Sequence, residues 1–188
     1  MSEILQLEKK DIKKIDRTWT IRFDDIDPDT TDESKYVKGT GSYRIVPIHK
    51  TLLELDFIKF KNTTSTRLFA SEIRNNKGKF DAFQKRFRTY RKQVNVVPSN
   101  SMEYRDFHSI RHTVITNLSD LRMKGKENQF FETWVIDAIV GHKSSDRSVG
   151  EKTYNHSNQI ATKNKVLNSD LSPNINTITK MRFPITLS

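Results

Sequence analysis

The chain has 188 residues, which suits one domain with its own core, and it has neither an apolar run long enough to span a bilayer nor a secretion signal, so we expect a cytoplasmic protein. It has no Cys, which excludes disulfides, Cys-ligated zinc and thiol catalysis. Its 33 Lys and Arg residues outnumber 23 Asp and Glu residues, which gives a formal charge of +10. This charge favours a polyanionic partner such as nucleic acid. A basic protein without such a partner would have the same composition.

The N-terminal segment is predicted to form a helix followed by a strand. Residues 2–7 have helical spacing, with Ile4, Leu5 and Ile12 as candidate core residues. Residues 18–23 alternate between polar and apolar side chains in the manner of a half-buried strand.

A hairpin is predicted next along the chain. Residues 35–38 and 43–48 have strand character, and the Gly-rich segment 39–42 between them suits a turn. The acidic segment 24–32 before the hairpin is predicted to be a turn as well. It does not match a calcium-binding loop, because Thr30 stands where that loop needs Gly.

The rest of the chain is predicted to be mainly helical. Helices are predicted over residues 49–61, 79–94, 107–123 and 128–140, the last of them ending at Gly141. Their candidate core residues are Leu52, Leu53, Leu55 and Ile58 in the first helix, and Phe80, Phe83, Phe87 and Val94 in the second. A short helix around 149–156 and a strand-like segment at 181–185 follow. The predicted fold class is therefore α+β and mainly helical, with a small three-stranded antiparallel sheet near the N-terminus followed by a helical bundle.

A His-x-x-Arg motif lies in the helix predicted over 107–123. Because residues three apart share a helix face, His108 and Arg111 can contact one anion together. Arg presents a planar set of donors that suits phosphate oxygens. By itself the motif is a weak signal, and a solvated basic helix face is the favoured explanation.

Three further residues are candidates for chemistry, and each has an ordinary structural explanation when it is taken alone. His142 follows Gly141, which can serve simply as a helix cap. Tyr154 can be a packing residue of a short helix. Lys38 can protect a sheet edge from aggregation, although a lysine on a hairpin is also a suitable proton donor to a leaving oxygen.

The order of these motifs resembles the catalytic domain of the tyrosine recombinase, or phage integrase, family. The chain has the same succession of motifs as that family. A hairpin lysine comes first and is followed by His-x-x-Arg-His. Gly-His follows after one intervening helix, and a tyrosine comes about three turns later. The flanking segments 3–7, 44–49, 107–113 and 178–184 are also similar to family segments. The resemblance covers nearly the whole chain.

The resemblance implies a role for each candidate residue. Tyr154 would be the nucleophile that joins the DNA 3′ phosphate, and Arg111 would hold that phosphate. His108 would act as a base or hydrogen-bond donor near the tyrosine, and His142 would donate to the phosphate. Lys38 would be the general acid that protonates the leaving 5′ oxygen. The family needs no metal and no cofactor, and His112 is expected to support packing.

The sequence departs from the family pattern at its start. The family's first catalytic arginine lies three residues before the glutamate matched by Glu3, a position immediately ahead of Met1. Because loss of one preorganised donor typically lowers the rate roughly a hundredfold to a thousandfold, we expect the chain as given to be inactive or very slow. We expect residues 1–171 to form an N-terminally truncated catalytic domain and residues 172–188 to form a tail that docks as a strand or folds back. The segment 143–153 is longer than in many relatives.

A basic segment in the helix predicted over 79–94 is a candidate DNA contact. Its basic residues alternate with aromatic ones and are Lys85, Arg86, Arg88, Arg91 and Lys92. A solvated basic face over a Phe-rich core would give the same pattern.

The resemblance implies a site-specific recombinase of phage, prophage or other mobile-element DNA, acting in a bacterial cell. Its partner would be double-stranded DNA at attachment sites, on which family members self-associate as tetramers, with no membrane and no small-molecule substrate. The alternative is a catalytically inactive DNA-binding remnant of an integrase.

Overall fold

The computed structural model describes residues 2–23, 44–72, 80–96, 107–124, 131–141 and 156–169. In chain order the elements within these ranges are α1 (Ser2–Leu5), a short 3-10 helix (Lys9–Asp11), β1 (Ile12–Ile15), β2 (Thr18–Phe23), β3 (Arg44–Pro47), α2 (Lys50–Glu54), α3 (Phe57–Thr63), α4 (Asp81–Gln93), α5 (Phe107–Lys124), α6 (Thr133–Val140) and α7 (His156–Leu167). A small sheet followed by helices confirms the predicted α+β class. No helix in the described ranges combines the length and apolarity needed to cross a bilayer.

The sheet is antiparallel, with the strands in the order β1-β2-β3. Ile12 pairs with Ile21 between the first two strands, and Phe23 pairs with Arg44 between the second and third. The predicted strand partner of β3, residues 35–38, lies outside the described residues, and the described partner is β2. Strand β1, which follows directly from the 3-10 helix, was not predicted from the sequence.

Two clusters of buried apolar residues form the core. The sheet cluster is made of Leu7, Ile12, Ile48 and Leu68. The helical cluster is made of Leu118, Phe131, Val135, Ile136, Ile139, Val140 and Val166. Strand β3 joins the two, because Val46 packs against the helical cluster while Ile48, just after the strand, is buried in the sheet cluster.

The helix predicted over 49–61 is two helices in the structure. Asp56 has a φ of 59°, a left-handed conformation that ends α2 and starts α3 in a new direction. As a result Ile58 packs against the sheet cluster, whereas Leu52 and Leu53 are exposed. The prediction that these two leucines lie in the core was therefore wrong.

Other predictions of helices and core residues have mixed outcomes. Gly141, with a φ of 75°, ends α6 as predicted. Ile4 and Val94 were expected in the core, but both are exposed. Val94 is the C-cap residue of α4, at the end of the helix, and Ile4 borders the cavity among α1, the sheet, α4, α5 and α6. The helix predicted over 128–140 corresponds to α6, which begins at Thr133 in the described residues.

The last described helix, α7, was not predicted. The short helix expected around 149–156 falls almost wholly outside the described residues, and α7 begins at its end. Helix α7 buries Ile160, Lys163 and Val166 at three-residue spacing. The Lys163 ammonium donates to the carbonyl oxygen of Ile45 in β3 at 3.0 Å. Because a lysine occupies the middle of the buried stripe, hydrophobic periodicity alone does not reveal this helix.

His49 caps the N-terminus of α2. Its Nδ1 atom accepts a hydrogen bond from the backbone N–H of Thr51 at 3.1 Å. Burial and the neighbouring Lys50 lower the pKa of His49 from its ordinary value of 6.5, while Glu54 and the backbone of Leu167 oppose this shift. The neutral imidazole is therefore the form that the folded protein favours.

This arrangement predicts that the free energy of unfolding decreases as the pH falls below about 6.5. In that range the unfolded chain binds more protons at His49 than the folded chain does, so protonation favours unfolding. The decrease is expected to reach about 1 kcal/mol, the contribution of a helix N-cap. Urea unfolding at pH 7.5 and 5.5 measures it. His49→Asn keeps a capping oxygen that does not titrate, and an equal pH dependence in this variant would contradict the assignment.

Candidate active site

A cavity of about 610 Å³ opens among α1, the sheet, α4, α5 and α6. Much of its wall is apolar, with Phe23, Phe87 and Val114 among the lining residues. Its charged residues are Glu3, Arg44, Arg88, Arg91 and Arg111. Among the described residues, four positive charges face one negative charge, a balance that favours an anion in this cavity.

Arg111, the arginine of the His-x-x-Arg motif, lies half-buried in this cavity. Within the described part of the chain, its guanidinium makes no hydrogen bond or ion pair. Burial lowers its pKa from the ordinary value for arginine, Arg44 lowers it further, and Glu3 opposes both effects. An arginine remains cationic in proteins, so the partly desolvated charge is stabilised most directly by binding an anion.

Arg44 contacts three separate parts of the fold. Its Nη2 and Nη1 atoms donate to the Glu3 carboxylate at 2.8 and 3.4 Å, and its Nε atom donates to the carbonyl oxygen of Ile139 at 3.2 Å. Its guanidinium lies 4.3 Å from the centre of the Phe23 ring. The side chain is only 10% exposed. It therefore joins α1, the sheet and α6 beside Arg111.

Gly141 is required at the end of α6 for two reasons. Its φ of 75° is a conformation that favours glycine. A Cβ atom on this residue would also lie 2.7 Å from Nη1 of Arg44. A side chain at this position would therefore have to displace the Arg44 guanidinium.

Replacing Arg44 with Met is expected to lower the free energy of unfolding by about 3 kcal/mol, because it leaves the carboxylate of Glu3 without its ion-pair partner in a largely buried setting. Urea unfolding at pH 7.5 measures the loss. Lys10→Met is the matched control, since Lys10 pairs with Glu8 at 3.1 Å but is 43% exposed. This control is expected to cost less than about 1 kcal/mol. Equal losses in the two variants would contradict the role of Arg44.

The structure separates the five basic residues predicted on α4. Arg88 and Arg91 line the cavity. Arg86 forms an ion pair with the buried carboxylate of Glu72 instead. Lys85 and Lys92 are exposed, and neither lines the cavity. Two of the five are thus brought together with Arg111.

The other sequence-predicted site residues have different positions. His108 lies one turn before Arg111 in α5. Lys38, His142 and Tyr154 lie outside the described residues. His112 is exposed, so the expectation that it supports packing was wrong: the second histidine of the motif points away from the core. Among the described residues, no group of three or more His, Cys, Asp or Glu side chains could hold a metal ion.

Sequence reasoning missed Arg44 and Glu3 as neighbours of Arg111. The signal available was a charged residue at the start of the otherwise apolar strand β3. Such a residue needs a partner if the strand is buried, but the partner lies 41 residues away in the chain, so spacing could not identify it.

A family model described as the phage integrase family matches residues 1–160, which is most of the 188-residue chain. A search of curated proteins and a search of solved structures found no match. The matched range includes every residue that lines the cavity.

Proposed function

This chain belongs to the phage integrase family, and we propose that it is the catalytic domain of a site-specific recombinase of phage or prophage DNA, which cleaves and rejoins strands through a 3′-phosphotyrosyl intermediate. The observation that carries the proposal is the position of Arg111. The arginine of the family motif lies half-buried in a basic cavity, and among the described residues it has no hydrogen-bond partner. A phosphodiester oxygen is the anion that a DNA recombinase would place there.

The proposed reaction exchanges one ester bond for another. The Tyr154 oxygen attacks the phosphorus, a phosphotyrosyl bond forms, and the bond to the 5′ oxygen breaks. Because a free tyrosine has a pKa of about 10, the attack needs a nearby base or a positive field, and we assign His108 to this role. Lys38 donates a proton to the departing 5′ oxygen. The phosphotyrosyl bond conserves the energy that rejoining requires.

The cations of the site stabilise the transition state. Phosphoryl transfer spreads negative charge over the nonbridging oxygens, which Arg111 and His142 bind by hydrogen bonds. Arg44 contributes positive charge near Arg111, and its contacts with α1, the sheet and α6 keep that charge fixed before DNA arrives. A charge that does not have to reorganise during the reaction stabilises the transition state most effectively.

The proposed partner is double-stranded DNA at the attachment sites of a mobile element. Two paired sites would be held by four protein chains, with the segment 172–188 docking onto a neighbouring copy. Binding would be strongly salt-dependent, because phosphate contacts release counterions from DNA.

A covalent-trapping experiment tests the proposal. The chain, and the same chain extended upstream by its native residues, are incubated with nicked duplexes that span the ends of the encoding element. The nick releases a short strand and prevents rejoining, so that even slow cleavage accumulates as a denaturation-resistant adduct. An adduct with a free 5′ hydroxyl on the released strand supports the recombinase. If both proteins bind DNA in a salt-dependent way but neither forms an adduct, the recombinase proposal is wrong and the chain is an inactive DNA-binding remnant.

A further inference from the structure

One face of α4 turns toward the cavity that contains Arg111. Gln84, Phe87, Arg88 and Arg91 line the cavity, and their spacing of three, four and seven residues places them on a single helix face. The remaining basic residues of the helix do not line it. Helix α4 therefore adds two arginines to the lining of this cavity.

These two arginines are not neutralised within the described part of the chain. The Nε atom of Arg91 is buried without a hydrogen-bond partner there, while its guanidinium lies 5.7 Å from the centre of the Phe87 ring. Arg88 is exposed at the rim. Among the described residues that line this cavity, Glu3 is the only acidic one, and its carboxylate binds Arg44. A buried donor without a partner is costly, which favours a bound acceptor at this position.

We propose that Arg88 and Arg91 form a subsite for a second DNA phosphate, next along the strand to the phosphate at Arg111. The inference rests on the proposed function and adds to it the placement of the neighbouring nucleotide. Two guanidinium groups one helical turn apart on the same face can both donate hydrogen bonds to one phosphate. Phe87 places an apolar surface beside them, which suits the sugar between two phosphates. The subsite reads no bases, and it fixes which phosphate lies at Arg111.

The test measures how DNA affinity depends on salt. Fluorescence anisotropy of a labelled duplex gives the slope of log K against log salt for the full chain, and each phosphate contact contributes roughly −0.9 to this slope. The Arg88→Gln/Arg91→Gln variant is expected to lose about 0.9 of slope, the share of one phosphate. Arg88→Gln alone is expected to shift the slope in the same direction, and because Arg88 is exposed this change leaves the fold intact.

Lys85→Gln/Lys92→Gln is the matched control, because it removes the same charge from the same helix outside the cavity. A smaller change of slope in the control than in the arginine variant supports the subsite. An unchanged slope in the arginine variant, or equal changes in both variants, overturns it. The absence of salt-dependent binding in the unmodified chain would instead refute the proposed function, so the two failures are distinguishable.

Discussion

Replacing Tyr154 with Phe is expected to abolish the covalent adduct on nicked DNA. Phenylalanine has no oxygen to attack the phosphorus, so no ester can form, whereas DNA affinity should stay nearly the same. Denaturing gel electrophoresis of the trapped complex measures the adduct, and anisotropy measures the affinity. The loss should reach the detection limit in the upstream-extended chain as well.

Tyr90→Phe is the matched control for this prediction. Tyr90 is a tyrosine on α4 with 54% exposure, and it lies outside the lining of the cavity. Its replacement should leave the yield of adduct unchanged. An adduct that persists in Tyr154→Phe but disappears in Tyr90→Phe would show that the nucleophile has been assigned to the wrong tyrosine.

Replacing Arg111 with Gln is expected to slow adduct formation roughly a hundredfold to a thousandfold, the usual effect of removing one preorganised donor to a transition-state charge. Gln is polar but neutral, so the charge that builds on the nonbridging oxygens loses its nearest cation. Arg111→Lys should fall between Gln and the unmodified chain, because lysine keeps the charge but not the planar pair of donors. Single-turnover rates at saturating protein measure both variants.

Lys59→Gln is the control for Arg111. Lys59 is an exposed lysine on α3, away from the cavity, so its loss removes one charge without touching the site. Its rate should change by no more than about twofold, as expected of a surface charge. If weaker DNA binding alone accounts for the loss in Arg111→Gln, Arg111 binds DNA but does not stabilise the transition state.

Local signals in the sequence predicted much of the fold. The alternation of polar and apolar residues predicted strand β2 (Thr18–Phe23), and the structure contains it. The helical spacing before Gly141 predicted a helix that ends at this glycine, and the structure contains that helix as α6. The turn between β1 and β2 escaped prediction because Asp16 and Arg17 both have positive φ. Two-residue hairpin turns usually place Asn and Gly at such positions, so this pair carried no turn signal. The break between α2 and α3 was also missed, because the residue with positive φ there is Asp56 and not Gly or Asn.

The candidate site was predictable only where a motif lies within one element. Arg111 follows from its spacing to His108. The contact of Arg44 with Ile139, 95 residues away in the chain, depends on how the sheet packs against α6. The sequence pattern also does not distinguish among the five basic residues of α4. Tertiary structure separates them, because Glu72 binds Arg86 while Arg88 faces the cavity.

The most direct test of the central claim is to identify the atom that carries the DNA. The trapped adduct is digested with nuclease and protease, and the modified peptide is sequenced by mass spectrometry. We expect a nucleotide joined through its 3′ phosphate to the peptide that contains Tyr154. A nucleotide on any other residue, or one joined through a 5′ phosphate, would contradict it.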